Sequence, residues 1–393
     1  MSKWMIPADL LDNEQRDFIF NRIKEKSNQW ISGFAGSGKS VLLMHTLAYI
    51  KEKEPSASVH IIYFTRSLEQ MYKVGIGELK INAVRVTFET YISYEKRIEK
   101  AIQCGDKIPH YDYILCDEVQ DLTKSVLEKM TKHCGRLYVS GDPNQSIYEN
   151  DPQTQRPVVN INEIGEAVNA NEYKLTTIHR LTQSVIKLIS QLIPSMDILK
   201  AKKNAKKIDV TARLAKFSDP LSEVEYVMNS AFDTVDVGKS VVVILPTHDC
   251  LLSFASRYSK LKNNLPWKRS NNQWDKPDYN KFNLFYHELK IHCIGNGYGD
   301  LVQASRQGKV ILMTYHSAKG LDFDSVFLPF LNGNADIRGE TLFMVGLSRS
   351  KETLTLTYSG TMHPYLKSIK DDCNDISETI NTNEDKDDFD FDF

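Results

Sequence analysis

Seven short stretches of this chain are built almost wholly of branched and aromatic apolar residues: SVHIIYFT (58–65), DYILCD (112–117), RLYVS (136–140), SVVVILP (240–246), VILMTYH (310–316), SVFLPF (325–330) and TLTLTY (353–358). Between them, near 12–26, 40–53, 122–133, 181–193, 221–234 and 248–263, apolar residues recur at helical spacing. Runs that are apolar at every position predict strands buried on both faces. Their alternation with amphipathic helices predicts an α/β protein with parallel sheets. The stretch 142–171, rich in Asn, Pro, Gln and Asp, predicts a boundary, and the polar stretch 261–280 a surface loop or insertion. The expected division is a first domain over 1–170, a second over 171–370 and a tail over 371–393. No internal repeat is visible.

Composition sharpens this picture in two places. The 393 residues are 41% hydrophobic, enough for real cores. No run of 18 apolar residues occurs and the N-terminus MSKWMIPADLLDNEQ has no apolar signal core, so membrane-spanning and secreted classes are set aside. The six cysteines form no C-x-x-C and no metal spacing with His, which fits a reduced, cytoplasmic setting. The formal charge of −2 hides an asymmetry: 371–393 carries −9 and the remainder +7. A mildly basic body permits a polyanion partner. The acidic tail, with Phe389, Phe391 and Phe393 between aspartates, is expected to be disordered.

The first candidate chemistry is a phosphate cradle. Residues 33–40 read GFAGSGKS, the pattern G-x-x-x-x-G-K-[ST]. Gly33, Gly36 and Gly38 let the backbone turn its N–H groups toward phosphate oxygens, with Ser37 in the same loop. Lys39 can reach the β- and γ-phosphates, and the Ser40 hydroxyl can hold Mg²⁺. The helix that follows points its positive end at the anion. The second is a carboxylate pair. The run YILC delivers Asp117 and Glu118 to the C-terminal end of a strand, the edge where α/β sheets bind ligands. Asp117 is assigned to metal and Glu118 to the base that activates water.

With these residues in view, the chain resembles superfamily 1 helicases of the UvrD/Rep type. LDNEQRDFI (11–19) is similar to the Q motif, IIYFTRSLEQMY (61–72) to motif Ia and VTFETY (86–91) to motif Ib. CDEVQDL (116–122) resembles motif II, GDPNQSIY (141–148) motif III and TIHRLTQSVI (177–186) the arginine-bearing motif IV. ILMTYHSAKGLDFDSVFLP (311–329) resembles motif V and LFMVGLSRSKETLTLT (342–357) motif VI.

The resemblance implies two RecA-like domains of the P-loop NTPase class, with ATP and Mg²⁺ in a cleft between them. It implies that Gln15 reads adenine and that Asp322 faces the ribose. Gln145 would couple the γ-phosphate to the nucleic-acid track, and Arg180 and Arg349 would act from the second domain as arginine fingers. Phe64, Thr65, Arg66, Thr87, Tyr148, His316 and Lys319 would contact nucleic acid, rings on bases and polar groups on phosphates. The implied activity is an ATP-dependent single-stranded-DNA translocase or 3′–5′ helicase acting on single-stranded or 3′-tailed DNA, with RNA left open. A second reading is a DNA-sensing regulatory ATPase that acts with a partner such as a nuclease.

The chain departs from that family in places. Only ISYEKRIEKAIQCGDKIPHYDYILC separates motifs Ib and II, and about 263–308 is left between motifs IV and V, so the large accessory domains are expected to be missing. Motif III runs on into Glu149, Asn150 and Asp151, a stretch with two acids where a base-stacking tryptophan is usual. Motif IV reads I-H-R, and Asp322 replaces a glutamate. Outside the motifs, Lys200, Lys202, Lys203, Lys206 and Lys207 make either a phosphate-contact patch or a solvated linker. The tail resembles the C-terminal tips of bacterial single-strand-binding proteins, which leaves open a partner peptide, autoinhibition or a solubilising role.

Overall fold

The computed structural model describes residues 4–142, 144–152, 154–203, 209–273, 275–295 and 297–377. It has two compact units: Ser2–Arg180 with the return Ala201–Asn204, and the rest of the described chain from Leu181 onward.

The first unit is a six-stranded sheet. Its strands are β1 (Gln29–Gly33), β2 (Val59–Tyr63), β3 (Val86–Thr90), β4 (Tyr111–Cys116), β5 (Cys134–Gly141) and β6 (Glu172–Leu175), in the order β3-β2-β4-β5-β1-β6. Every pairing is parallel. The helices are α1 (Asn13–Phe20), α2 (Lys39–Lys53), α3 (Arg66–Glu78), α4 (Tyr91–Cys104), α5 (Lys124–Lys132) and the single turn α6 (Ile164–Ala167). The core runs through both faces of the central strands, with Ile31, Ile62, Ile114 and Val139 below 1% exposed. That two-sided burial is why β2, β4 and β5 read as unbroken apolar runs.

The second unit is a seven-stranded sheet in the order β11-β12-β10-β13-β14-β9-β15, again parallel throughout. The chain enters it through a short pair, β7 (Thr177–Ile178) with β8 (Lys202–Lys203), flanking α7 (Gln183–Leu192). Next come β9 (Thr211–Phe217), α8 (Pro220–Asp236), β10 (Val241–Leu245), α9 (His248–Leu261), α10 (Tyr279–Phe285) and β11 (Ile291–Cys293). The unit is completed by α11 (Leu301–Arg306), β12 (Val310–Thr314), α12 (Tyr315–Ala318), β13 (Phe323–Leu328), α13 (Glu340–Leu347), β14 (Ser350–Ser359), α14 (Pro364–Ile369) and β15 (Asn374–Asp375). Among the described residues no helix is long and apolar enough to cross a membrane.

Two boundaries differ from the sequence reading. The first unit ends after Arg180, not after Ala170, because β6 pairs with β1 as the sheet's edge strand. Glu14 then holds the exit, accepting from Thr176 N at 2.8 Å. The tail does not begin at Asp371: Lys187 and Gln191 both donate to the Asp372 carboxylate, and β15 pairs with β9. The open edge of β9 offers backbone groups that need partners, and polar residues supply them. Residues 378–393, with Phe389, Phe391 and Phe393, lie outside the described residues, as do Lys206 and Lys207. The polar stretch 261–280, expected to be a surface loop or insertion, runs from α9 into α10 with no helix or strand between them among the described residues. It is anchored by Trp267, edge-on to Phe282 at 5.4 Å, and by Tyr279, stacked on Tyr298 at 4.3 Å.

Candidate nucleotide-binding site

The loop from β1 to α2 holds the cradle. Gly38 is left-handed, with φ 84°, and a side chain there would put its Cβ 2.5 Å from Gln15 Nε2. Only glycine satisfies both demands. The Lys39 ammonium donates to Gly33 O at 2.8 Å and Phe34 O at 3.1 Å, so its charge is already held at the mouth of the loop. The Ser37 hydroxyl is buried without a protein partner. No side chain caps α2, whereas Asp12, Thr65, Thr90 and Thr123 cap α1, α3, α4 and α5. A helix whose first N–H groups meet only a glycine turn and a lysine fits phosphate.

Gln15 does something the sequence reading did not assign. It is 1% exposed, its Oε1 accepts from Asp12 N at 3.2 Å and its Nε2 donates to Ser37 O at 3.3 Å. It therefore closes the capping box of α1 and braces the cradle from behind. The return segment braces the other side: His179 N and Arg180 N both donate to Gly36 O, at 2.9 and 3.1 Å. His179 Nε2 meets Asp12 Oδ2 at 2.6 Å. Burial pushes the Asp12 carboxyl up, but His179 and the Gln15 N–H outweigh it and hold the group below its usual range. Arg180 thus belongs to the first unit, beside the loop, and not to the second as the resemblance implies.

The carboxylate pair sits at the end of β4 as expected. Asp117 Oδ2 accepts from Ser40 Oγ at 2.5 Å and from Tyr72 OH at 2.9 Å. Its Oδ1 accepts from Ser140 Oγ and from Glu118 N at 2.9 Å. Burial, reinforced by the charge of Glu118, pushes the Asp117 carboxyl up. Glu118 takes a left-handed backbone, φ 58° and ψ 38°, uncommon for a non-glycine residue. Such strain concentrates at working sites. The Gln120 amide then ties two motifs together. Its Nε2 donates to Glu118 Oε2 at 2.6 Å and its Oε1 accepts from Asp142 N at 3.2 Å. A Cβ on Gly141 would stand 2.3 Å from that Oε1, so the glycine at the end of β5 is what lets Gln120 pass. Gln145 follows, buried, with its N–H on Asp142 O.

Ser140, Gln120 and Tyr72 were not singled out from sequence. Gln120 had a signal, its place inside D-E-x-Q-D. Ser140 and Tyr72 had none, since their roles arise only when β5 and α3 are laid beside β4.

Among the described residues no three His, Cys, Asp or Glu side chains are grouped to hold a metal. A Mg²⁺ that travels with nucleotide needs less: one or two protein oxygens, with phosphates and water completing the octahedron. Ser40 and Asp117, hydroxyl and carboxylate in contact, fit that hard-cation demand. The cradle fits a nucleotide phosphate.

The expected nucleic-acid residues are placed unevenly. Arg66 is exposed at the start of α3, and Thr87 is exposed on β3 with its hydroxyl 2.7 Å from His60 Nδ1. Thr65 caps α3 through Leu68 N. Phe64 is 6% exposed and stacks between Tyr91, at 5.1 Å, and Tyr148, at 5.7 Å, so these rings pack on one another. Asp151 does not present a bare acid: Tyr91 donates to it, and its Oδ1 accepts from Thr154 N at 2.7 Å. In the second unit, His316 lies on α12 and burial holds its imidazole low, while Lys319 is 1% exposed. Asp322, half-buried, immediately precedes β13. Arg349 is buried, donating to Val345 O at 2.8 Å, Leu321 O at 3.2 Å and Ser348 Oγ at 2.7 Å.

Fold and cradle together define a P-loop nucleotide-binding α/β unit followed by a second parallel α/β unit. Residues 15–151 match the family model of an AAA domain, from the brace Gln15 to just past the third motif. No curated protein sequence matches the chain. Among solved structures, the C-terminal domain of a possible DNA helicase from Lactobacillus plantarum is 14% identical, with TM-score 0.35 over 50% of this chain and 98% of that one. Arterivirus nonstructural protein 10 (helicase) is 13% identical, with TM-score 0.41 over 86% of this chain and 61% of that one. The same helicase in complex with DNA is 14% identical, with TM-score 0.42 over 89% and 65%. The chain therefore spans less than two thirds of the arterivirus protein. Likenesses at this level bear on neither activity nor substrate.

Proposed function

We propose that this chain is an ATP-hydrolysing motor of superfamily 1, of the UvrD/Rep type, that works in the cytoplasm on single-stranded or 3′-tailed DNA and moves 3′ to 5′. The observation that carries the reading is the unbroken hydrogen-bonded line Ser40–Asp117–Glu118–Gln120–Asp142, which joins the phosphate loop to the third motif.

In this reading Lys39 exchanges the Gly33 and Phe34 carbonyls for phosphate oxygens. Ser40 and Asp117 would hold the metal, and Glu118, steered by Gln120, would take the proton of the attacking water. Bound Mg²⁺ supplies neutralisation of the β- and γ-phosphate charge. Gln145 passes the state of the γ-phosphate toward Tyr148 and the α3 terminus. Arg180, beside the loop, stabilises the transferring group.

The test is steady-state ATP hydrolysis with Mg²⁺, with and without poly-deoxythymidine, on wild type and Lys39→Ala. Stimulation of about tenfold or more, with turnover lost by at least about 100-fold in the variant, supports the motor. Hydrolysis indifferent to single strands contradicts it.

One observation favours a second reading, a DNA-sensing regulatory ATPase with a protein partner. Between β3 and β4 there is only α4, and the Phe64–Tyr91–Tyr148 rings are packed together. Failure to unwind a 3′-tailed duplex, with stimulation intact, would decide for it.

A further inference from the structure

Among the described residues, the Tyr72 phenol is the one donor to the Asp117 carboxylate that comes from neither the phosphate loop nor the strand ends. It lies on α3, on the buried face shared with Leu68, Met71 and Gly75. The ring is 2% exposed, and Trp4 covers it with ring centroids 5.8 Å apart. Its hydroxyl reaches Asp117 Oδ2 at 2.9 Å, the same oxygen that accepts from Ser40. An apolar ring would fill this space without leaving a polar atom in the core. A phenol is tolerated there only because its hydroxyl has the carboxylate as partner.

We propose that Tyr72 is a positioning residue for the divalent cation: its hydroxyl fixes the rotamer of Asp117, so that one carboxylate lone pair stays turned toward Ser40 and the metal. Partners one step behind a metal ligand set its orientation, and their loss commonly weakens metal affinity about 10- to 100-fold. The same helix begins at Thr65 and Arg66, so a shift of α3 reaches Asp117 through one hydrogen bond. The inference rests on the nucleotide–metal reading above.

The test compares binding of a fluorescent ATP analogue in Mg²⁺ and in EDTA for wild type, Tyr72→Phe and Tyr63→Phe, with a thermal melt of each. Tyr63 is a matched control, a buried phenol at the end of β2 bonded to Glu69 on α3. The expected result is that Tyr72→Phe binds the analogue in EDTA within about twofold of wild type and loses about tenfold of the Mg²⁺ enhancement. Tyr63→Phe keeps it, and Mn²⁺ titrated into the nucleotide complex binds Tyr72→Phe correspondingly more weakly. An unchanged Mg²⁺ enhancement in Tyr72→Phe overturns the positioning role. Equal losses in EDTA and in Mg²⁺ overturn it too, because they mark a general loosening of the site. A wild type that binds no better with Mg²⁺ than with EDTA overturns the metal reading itself, and the inference falls with it.

Discussion

The two units use one architecture and finish it differently. In the second, the helices that follow β9, β10 and β12 are each closed by a residue of their own, Asp219 on α8, Thr247 on α9 and Thr314 on α12, while α13 after β13 starts at Gly339 without a side-chain cap and, among the described residues, without a set of polar side chains gathered beside it. In the first, α2 follows β1 through a glycine turn and no side chain closes it. The strand ends beside it carry a connected set of hydroxyls, carboxylates and amides. A parallel sheet always brings helix N-termini to its C-terminal edge. What makes one edge a site is that its donors are left for a ligand instead of being met by the chain.

Two glycines with nearly the same backbone break that comparison open. Gly38 has φ 84° and Gly238 has φ 79°, but a Cβ at Gly38 strikes Gln15, while at Gly238 it meets nothing within 4 Å. Gly238→Ala is expected to cost about 1 kcal/mol, the left-handed penalty alone. Gly38→Ala is expected to cost about 3 kcal/mol and to weaken ATP binding, because displacement of Gln15 adds to the strain. Urea unfolding and nucleotide titration of the two variants measure the difference.

Asp117→Asn sharpens it from the electrostatic side. The raised pKa means that the folded state holds the proton more tightly than the unfolded chain. The contribution of this group to stability is therefore full at low pH and falls as pH rises through the raised value. At neutral pH the amide removes a buried charge, and the metal-free variant should melt above wild type while losing Mg²⁺-dependent hydrolysis. A lower melting temperature would show that the carboxylate stabilises the fold rather than serving a ligand.

A pH-dependent effect is expected in the second unit. His292 accepts from Asp300 N through Nε2 at 3.1 Å, and burial, helped by Lys309, pushes its imidazole down to about 4. The unfolded chain binds the proton near pH 6.5, so this stability is complete above that pH and is lost as pH falls toward 4. Partial exposure limits the loss to roughly 2 kcal/mol. In His292→Asn the urea midpoint should fall less between pH 7 and pH 5 than in wild type.

The same contrast decides what the sequence made legible. Strands buried on both faces, such as Val241–Leu245 and Val310–Thr314, announce themselves as apolar runs. Edge and near-edge strands do not: Glu172–Leu175 is mostly exposed, and in Thr211–Phe217 exposed and buried positions are interleaved. That is why the first domain was drawn too short and the tail too long. Lys39, Ser40, Asp117 and Glu118 were readable because phosphate and metal chemistry fixes residue types at fixed spacing. The adenine-edge role of Gln15 rests on the resemblance, and the brace its side chain gives Ser37 is one that only packing shows. Ser140 and Tyr72 depend on which strand and helix neighbour β4, and no local pattern records that.

The most direct test of the central claim, that one hydrogen-bonded line joins the phosphate loop to the third motif, is the stimulation of ATP hydrolysis by poly-deoxythymidine in Gln120→Ala. Wild type is expected to be stimulated about tenfold or more, and the variant to lose most of that stimulation while its KM for ATP stays within about twofold. Stimulation undiminished in Gln120→Ala would contradict the claim.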